Sequence, residues 1–201
     1  MYQAVLAGFL LGISLILAIG AQNAFLLRQG LRQQHVAMVV AICAGSDAIL
    51  ILAGVSGMGR LVATLPDLLT AFRWIGVAFL SVYGALRFRS ALAGGEQLVA
   101  DGAAEQKLSA VVAACLLFTW ANPHVYLDTV LLVGALASQY APHEWSFGFG
   151  AAFASLVFFT ALGFGARFLA PLFAKPGAWV VLEVLMGLTL WAIAAELAFW
   201  G

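Results

Sequence analysis

Two aspartates stand inside long runs of apolar residues, where a charged side chain needs either a partner or a function. Asp47 falls near the middle of residues 36–57, and Asp128 lies a few residues beyond Pro123 in residues 109–137. An ionised carboxylate at the centre of a membrane-spanning helix costs about 2.5 to 3.5 kcal/mol on insertion scales. Each aspartate is therefore expected either to bind a cation or a proton in a cavity, or to pair with an arginine or with amide groups as part of the scaffold.

Amide side chains occur where two of these apolar runs are interrupted. Gln22 and Asn23 follow a glycine in the first run, and Asn122 precedes Pro123 in the fourth. Proline has no amide hydrogen and its ring displaces the carbonyl four residues earlier, so the helix kinks or unwinds there. The amides and the exposed backbone groups could hold the backbone of an amino acid, or the amides could simply cap a broken helix. The predicted substrate-binding and coupling residues are Asp47, Asp128, Asn23, Asn122, Gln22, Pro123 and His124.

A metal site is the weaker interpretation of the same stretch. His124 and Asp128 are four residues apart and would share one face of a regular helix. The chain has 3 histidines, however, and no second cluster of ligands accompanies this pair. The sequence also contains no Ser-His-Asp arrangement, phosphate loop or nucleotide fingerprint. We therefore expect a protein without metal or cofactor that is not an enzyme.

The elements that position these residues are apolar helices. Of the 201 residues, 64% are hydrophobic and 9% are charged, and the mean hydropathy is +1.04. These values predict an all-α integral membrane protein in a lipid bilayer. The net charge is zero and no basic run is present, so nucleic acid is not an expected partner. The first three residues contain no basic side chain, so we expect the first helix to be retained rather than cleaved as a signal peptide.

The hydropathy pattern predicts six transmembrane helices. A count of five is the alternative, in which the short connection at residues 61–70 and its neighbour are assigned differently. Glu183 and Glu196 are the ionisable residues of the last span. Glu183 is expected to be a third buried carboxylate or to reach the membrane interface, and Glu196 has no assigned role. The predicted spans cover residues 4–27, 36–57, 72–88, 109–137, 147–168 and 179–199.

A polar linker divides the chain into two halves of similar organisation. Residues 1–92 form the first three-helix half, residues 93–108 the linker, and residues 109–201 the second half. Because each half has an odd number of spans, the second half starts on the opposite side of the membrane and has inverted topology. Inverted repeats with interrupted helices are a recurrent transporter architecture. Asn23 and Asn122 interrupt spans one and four, and a tryptophan opens spans three and six. We therefore predict two inverted three-helix repeats.

The distribution of basic residues predicts the orientation. Arg60 lies in the connection after span two and Arg73 at the adjoining end of span three, whereas the connection after span four has no Lys or Arg. Because basic residues concentrate in cytoplasmic loops, both termini are expected outside. The connections after spans one, three and five, together with the adjoining span ends, hold Arg28, Arg32, Arg87, Arg89, Lys107, Arg167 and Lys175.

Several motifs follow one another along nearly the whole chain, and together they resemble those of a known family. They are Gly20-Ala21-Gln22-Asn23-Ala24-Phe25, Arg28-Gln29-Gly30, Ser46-Asp47, Arg73-Trp74-Ile75-Gly76 and Trp120-Ala121-Asn122-Pro123-His124-Val125-Tyr126-Leu127-Asp128-Thr129. In this series the chain resembles the LysE family of amino-acid exporters, in particular its lysine/arginine exporter branch. That family usually has a proline where Ala21 stands, so the first helix break would depend on Gly20 and the amides.

The resemblance implies export of basic L-amino acids, arginine or lysine or both, through the inner membrane of a bacterium. Two carboxylates within the membrane suit a cationic ligand. Moving one positive charge out against an inside-negative potential costs about 2.3 kcal/mol per 100 mV, and exchange for an incoming proton removes that cost. We therefore expect proton antiport, with Asp47 and Asp128 sharing proton and substrate. A homo-oligomer is compatible with the sequence.

Three other functions are weighed against this one. A transmembrane thiol-disulfide oxidoreductase would use Cys43 and Cys115, but each thiol is alone in an apolar run without a nearby cation in sequence to activate it. An exporter of neutral amino acids would use the same cavity without needing its charges. A passive channel would dissipate a gradient but never build one.

Overall fold

The described part of the chain consists of helices joined by turns and short irregular segments, without a strand, in this computed structural model. The structure describes residues 1–17, 20–58, 66–93, 106–122, 125–169, 171, 173 and 176–199. Four short π-helical or 3-10 stretches connect or extend the α-helices, at Gly54–Met58, Tyr126–Leu132, Ser138–Tyr140 and Ala166–Leu169. Eight α-helices are described: α1 (Tyr2–Ile16), α2 (Ala21–Arg32), α3 (Val36–Ala53), α4 (Pro66–Leu92), α5 (Leu108–Trp120), α6 (Val133–Ala137), α7 (Glu144–Gly165) and α8 (Pro176–Phe199).

The first apolar run is broken as its sequence predicts. Helix α1 ends at Ile16, and α2 begins after Gly20, whose backbone is extended. The directions of the two helices differ by 82°. Because α2 does not continue the axis of α1, contacts with other helices must set its orientation.

The fourth apolar run is interrupted as well. Helix α5 ends at Trp120, and Ala121 forms a turn. Pro123 and His124 lie outside the described residues. The chain is helical again from Val125, first as the π-helical stretch and then as α6.

Four described helices are long and apolar enough to cross a membrane, and α1 with α2 forms a fifth span if the bent pair is counted as one. Helix α5 has 13 residues and is too short to cross alone. The count of six therefore stays a prediction, because the two sides of the fourth run would have to act as one span. The four helical segments that are long and apolar enough to cross a membrane are Val36–Gly57, Arg73–Leu92, Glu144–Leu169 and Gly177–Phe199.

Helix α4 begins before the span that it contains. It starts at Pro66, inside the stretch predicted to be a short connection, whereas the apolar span within it starts at Arg73, next to the predicted start at Phe72. Proline suits the first position of a helix because its missing amide hydrogen would have no partner there and its φ angle is already helical.

Small residues bring the helices close together. A Cβ atom on Gly8 of α1 would overlap the carbonyl oxygen of Phe147 in α7, and one on Gly150 of α7 would overlap the carbonyl oxygen of Val5 in α1. Helices α4 and α8 pack in the same reciprocal way, because Gly84 faces Trp191 while Gly187 faces Phe88. Membrane helices associate through such backbone approach rather than through hydrophobic burial.

Candidate functional site

A cavity of about 300 Å³ lies beside both interrupted helices. Helices α1, α2, α3, α7 and α8 line it, together with the residues that follow α5. The structure thus brings together five of the seven predicted site residues, which come from distant parts of the sequence. These five are Gln22, Asn23, Asp47, Asn122 and Asp128.

Asp47 lies at the buried side of the cavity. Its exposed fraction is 5%. The hydroxyl of Ser155 in α7 donates to Asp47 Oδ2 at 3.0 Å, and the neighbouring Ser46 accepts a hydrogen bond from Trp120 Nε1 at 3.1 Å. Among the described residues no Lys or Arg is within ion-pair distance of Asp47. The scaffold interpretation with an arginine partner is therefore not supported for this carboxylate.

Each interrupted helix has a side chain that satisfies its last carbonyl group. Asn23 Nδ2 donates to the carbonyl of Ile16, the last residue of α1, at 2.7 Å. The hydroxyl of Tyr126 donates to the carbonyl of Trp120, the last residue of α5, at 2.8 Å. Exposed backbone groups within a bilayer need such partners. Asn23 therefore caps a helix and lines the cavity at once.

The amide groups of the cavity also offer donors. The side-chain nitrogen of Gln22 is buried and has no hydrogen-bond partner among the described residues. Gly20 and Ala21, at the amino terminus of α2, line the same cavity. The first turn of a helix has free N–H groups and a partial positive charge, so this end can bind an anionic group such as a carboxylate.

A third carboxylate joins the two predicted ones. Asp128 lines the cavity from the π-helical stretch, and Glu196 lines it from the carboxyl-terminal end of α8. Sequence reasoning missed Glu196, although its three-residue spacing from Ile193, which also lines the cavity, places both on one helix face. None of the described lining residues is a Lys or an Arg. The described lining of the cavity is therefore acidic.

Glu183 lies outside this cavity, in a buried ion cluster. Its exposed fraction is 0%, so the alternative that it reaches the membrane interface is wrong. Arg28 Nε lies 3.3 Å from Glu183 Oε1, and Arg87 Nη1 lies 3.1 Å from Oε2. The topology prediction counts both arginines with the loops. The structure places them inside the helix packing, in α2 and α4.

The two thiols are closer than their sequence context indicates. Cys43 Sγ and Cys115 Sγ are 3.4 Å apart, and both residues are completely buried. Their approach meets one requirement of a thiol oxidoreductase, but partner molecules have no access to the sulfur atoms. The pair is part of the core between α3 and α5.

Comparisons with known proteins identify the family. The family model described as "LysE type translocator" matches residues 13–201. The chain is 44% identical over 182 residues, 90% of each chain, to a "putative amino-acid transporter" of Mycobacterium tuberculosis. It is also 42% identical over 200 residues to "Arginine exporter protein ArgO" of Serratia proteamaculans, covering 98% of this chain and 96% of the relative.

A second protein named "Arginine exporter protein ArgO", from Yersinia enterocolitica, is 42% identical over 195 residues, which are 96% of this chain and 95% of the relative. No solved structure matches the chain significantly. A family match of this extent makes the protein a multi-pass membrane transporter and not an enzyme, so the oxidoreductase alternative is wrong. The chain belongs to the LysE family of translocators.

Proposed function

We propose that the protein exports basic L-amino acids, with arginine as the first candidate substrate. The observation that carries the proposal is the cavity with three carboxylates and no basic residue among its described lining. Relatives that match nearly the whole chain bear the name arginine exporter. Lysine has the same net charge and is the second candidate.

The cavity offers a complement for each charged group of arginine. The substrate carboxylate would lie at the amino terminus of α2, where Gln22 Nε2 and the first-turn N–H groups are donors. The α-ammonium and guanidinium groups would pair with Asp47 and Asp128. Asn122, whose side chain can both donate and accept, would fix the orientation. Pro123 and His124 stay in the proposed site because of the helix break that the proline imposes.

Proton antiport is the proposed coupling. Asp47 has a hydroxyl donor but no described cationic partner, so its charge has to be balanced by a bound cation or a proton. If substrate and proton bind to the same carboxylate, the binding of one excludes the binding of the other. That exclusion is what an exchange mechanism requires, and it would keep the net charge of the site constant.

The two halves would move as inverted repeats around this site. Asp47 in α3 and Ser155 in α7 stand at the same distance from the first residues of their helices, and they bond to each other. Gly84 with Trp191 and Gly187 with Phe88 form a second reciprocal pair. Contacts between equivalent positions of two halves are expected at a two-fold axis. This supports the division at the linker, a site at the centre of the membrane, and alternating access.

We place the protein in the bacterial inner membrane with both termini outside. Arg28 and Arg87 are buried, but the remaining basic residues after the odd-numbered predicted spans still outnumber those after the even-numbered ones. Labelling of single cysteines at the two termini with an impermeant thiol reagent would test this orientation. Protection of both termini in intact inner membranes would contradict it.

Efflux from proteoliposomes tests the proposed function. Vesicles containing the purified chain are loaded with labelled arginine, lysine or a neutral amino acid, and efflux is followed with and without a proton gradient. We expect efflux of arginine and lysine that a proton gradient of the correct sign drives against the substrate gradient. Efflux of neutral amino acids alone would overturn the substrate class. Cation efflux that stops at equilibrium under every gradient would contradict antiport.

A further inference from the structure

Helix α2 carries two of the cavity amides, and a hydrogen bond from Asn23 Nδ2 to the carbonyl of Ile16 links its first turn to the helix before it. It has 12 residues, and Gln22 and Asn23 lie in its first turn. The 82° change of direction separates its axis from that of α1. A short helix with a bend at one end can rotate or tilt unless its other end is attached. The position of the amides therefore also depends on what holds the second half of α2.

The first attachment is ionic. Arg28 in the second half of α2 is completely buried, and its Nε lies 3.3 Å from Glu183 Oε1. Glu183 in turn contacts Arg87 Nη1 through both carboxylate oxygens, at 3.2 and 3.1 Å. Because α4 and α8 are packed together through Gly84 and Gly187, Glu183 is carried on a rigid pair of helices. The ion cluster thus joins α2 to that pair.

Gln29 and Gly30, the next two residues, connect α2 to two other parts of the structure. Gln29 is completely buried, and its Nε2 donates to Gln106 Oε1, just before α5, at 2.8 Å. A Cβ atom on Gly30 would overlap the carbonyl oxygen of Gly163 in α7, so the two backbones are in direct contact. Three consecutive residues therefore contact three different parts of the structure. Contacts in three directions prevent both rotation and tilt of the helix.

We propose that Glu183 is a positioning residue for the cavity: through Arg28 it holds α2 so that Gln22 and Asn23 face the substrate. Glu183 is not among the residues that line the cavity and has no exposed surface, so it does not contact a substrate bound there. The inference depends on the proposed function, because positioning is measured through substrate affinity. Side chains that bind a ligand must be held to within about 0.5 Å of the productive geometry.

Two matched variants test the proposal in the full-length chain. Arg28→Gln and Arg87→Gln each remove one buried arginine and leave Glu183 with the other, but only Arg28→Gln detaches α2. In folded protein we expect Arg28→Gln to raise the KM for arginine efflux about tenfold, while Arg87→Gln changes it less than about twofold. Thermal unfolding in detergent is the control that tests whether both variants are folded. Equal KM values for the two variants, or an unchanged KM in Arg28→Gln, would overturn the positioning role.

Gly30→Ala provides an independent test if Arg28→Gln does not fold. The added methyl group pushes α2 away from Gly163 without changing any charge, and we again expect an increase in KM. An unchanged KM in folded Gly30→Ala would contradict the proposal. A wild-type chain that exports no arginine would overturn the proposed function, whereas normal wild-type export with unchanged variants would overturn only the positioning role.

Discussion

Two buried carboxylates of this protein have opposite surroundings. Glu183 is surrounded by two guanidinium groups within hydrogen-bond distance. Asp47 accepts a hydrogen bond from one neutral hydroxyl and lines a cavity. Both are buried acids in apolar helices, so residue type and burial do not distinguish them. From this difference we infer that Glu183, with two arginine partners, belongs to the helix packing, and we propose Asp47, without a described cation, for the ligand.

Neutralising Glu183 should have the largest effect on stability. In Glu183→Gln two guanidinium groups remain buried without their carboxylate, and loss of one partner of a buried ion pair costs about 3–5 kcal/mol. We expect a marked decrease in the midpoint of thermal unfolding in detergent. If the unfolding midpoint of Glu183→Gln equalled that of the wild type, Glu183 would not differ from Asp47 in its contribution to stability.

Neutralising Asp47 should instead decrease transport strongly while leaving the fold intact. Asp47→Asn removes the charge but can still accept the hydrogen bond from Ser155. We expect arginine efflux to decrease about 100-fold, which corresponds to about 3 kcal/mol, with no decrease in the unfolding midpoint. Efflux from proteoliposomes and thermal unfolding of the same preparation measure the two quantities. Wild-type efflux by Asp47→Asn would contradict its assignment to the site.

Glu196 should have the smallest effect of the three acids. It is exposed, so its attraction for a cation is screened by water and salt. We expect Glu196→Gln to raise the KM for arginine about threefold at low ionic strength, with less effect at high salt. Glu144→Gln is the matched control, because Glu144 lines a different cavity, next to Gly54 and Gly134. The same change of KM in both variants would indicate a general surface effect.

The nature of the fold follows from the sequence because each signal is local. Hydropathy identifies apolar helices within one stretch of chain, and the breaks near Gly20 and Pro123 depend on backbone chemistry at those residues. The motif residues of the cavity could be named from the sequence because each of them, too, is recognised within one stretch of chain. Five of them do line one cavity, although their individual roles remain predictions.

Helix ends and buried partners were harder to predict. The extension of α4 back to Pro66, ahead of its apolar span, is hard to predict because a proline marks either a break or the first turn of a helix. Arg28 and Arg87 were assigned to loops because a basic residue at the end of an apolar run usually meets water. Glu183, which offsets their burial, is 155 residues from Arg28 in sequence. Partners this distant leave no local pattern.

The sequence by itself determined the membrane class, the positions of the two interruptions and the acids and amides available for a ligand. These depend on side-chain type and on the backbone limits of single residues. Only the tertiary structure decided which acid is neutralised, that Glu196 joins the cavity, and that Cys43 and Cys115 touch. Each of these depends on distances between helices, and helix packing sets those distances through contacts among residues far apart in the chain.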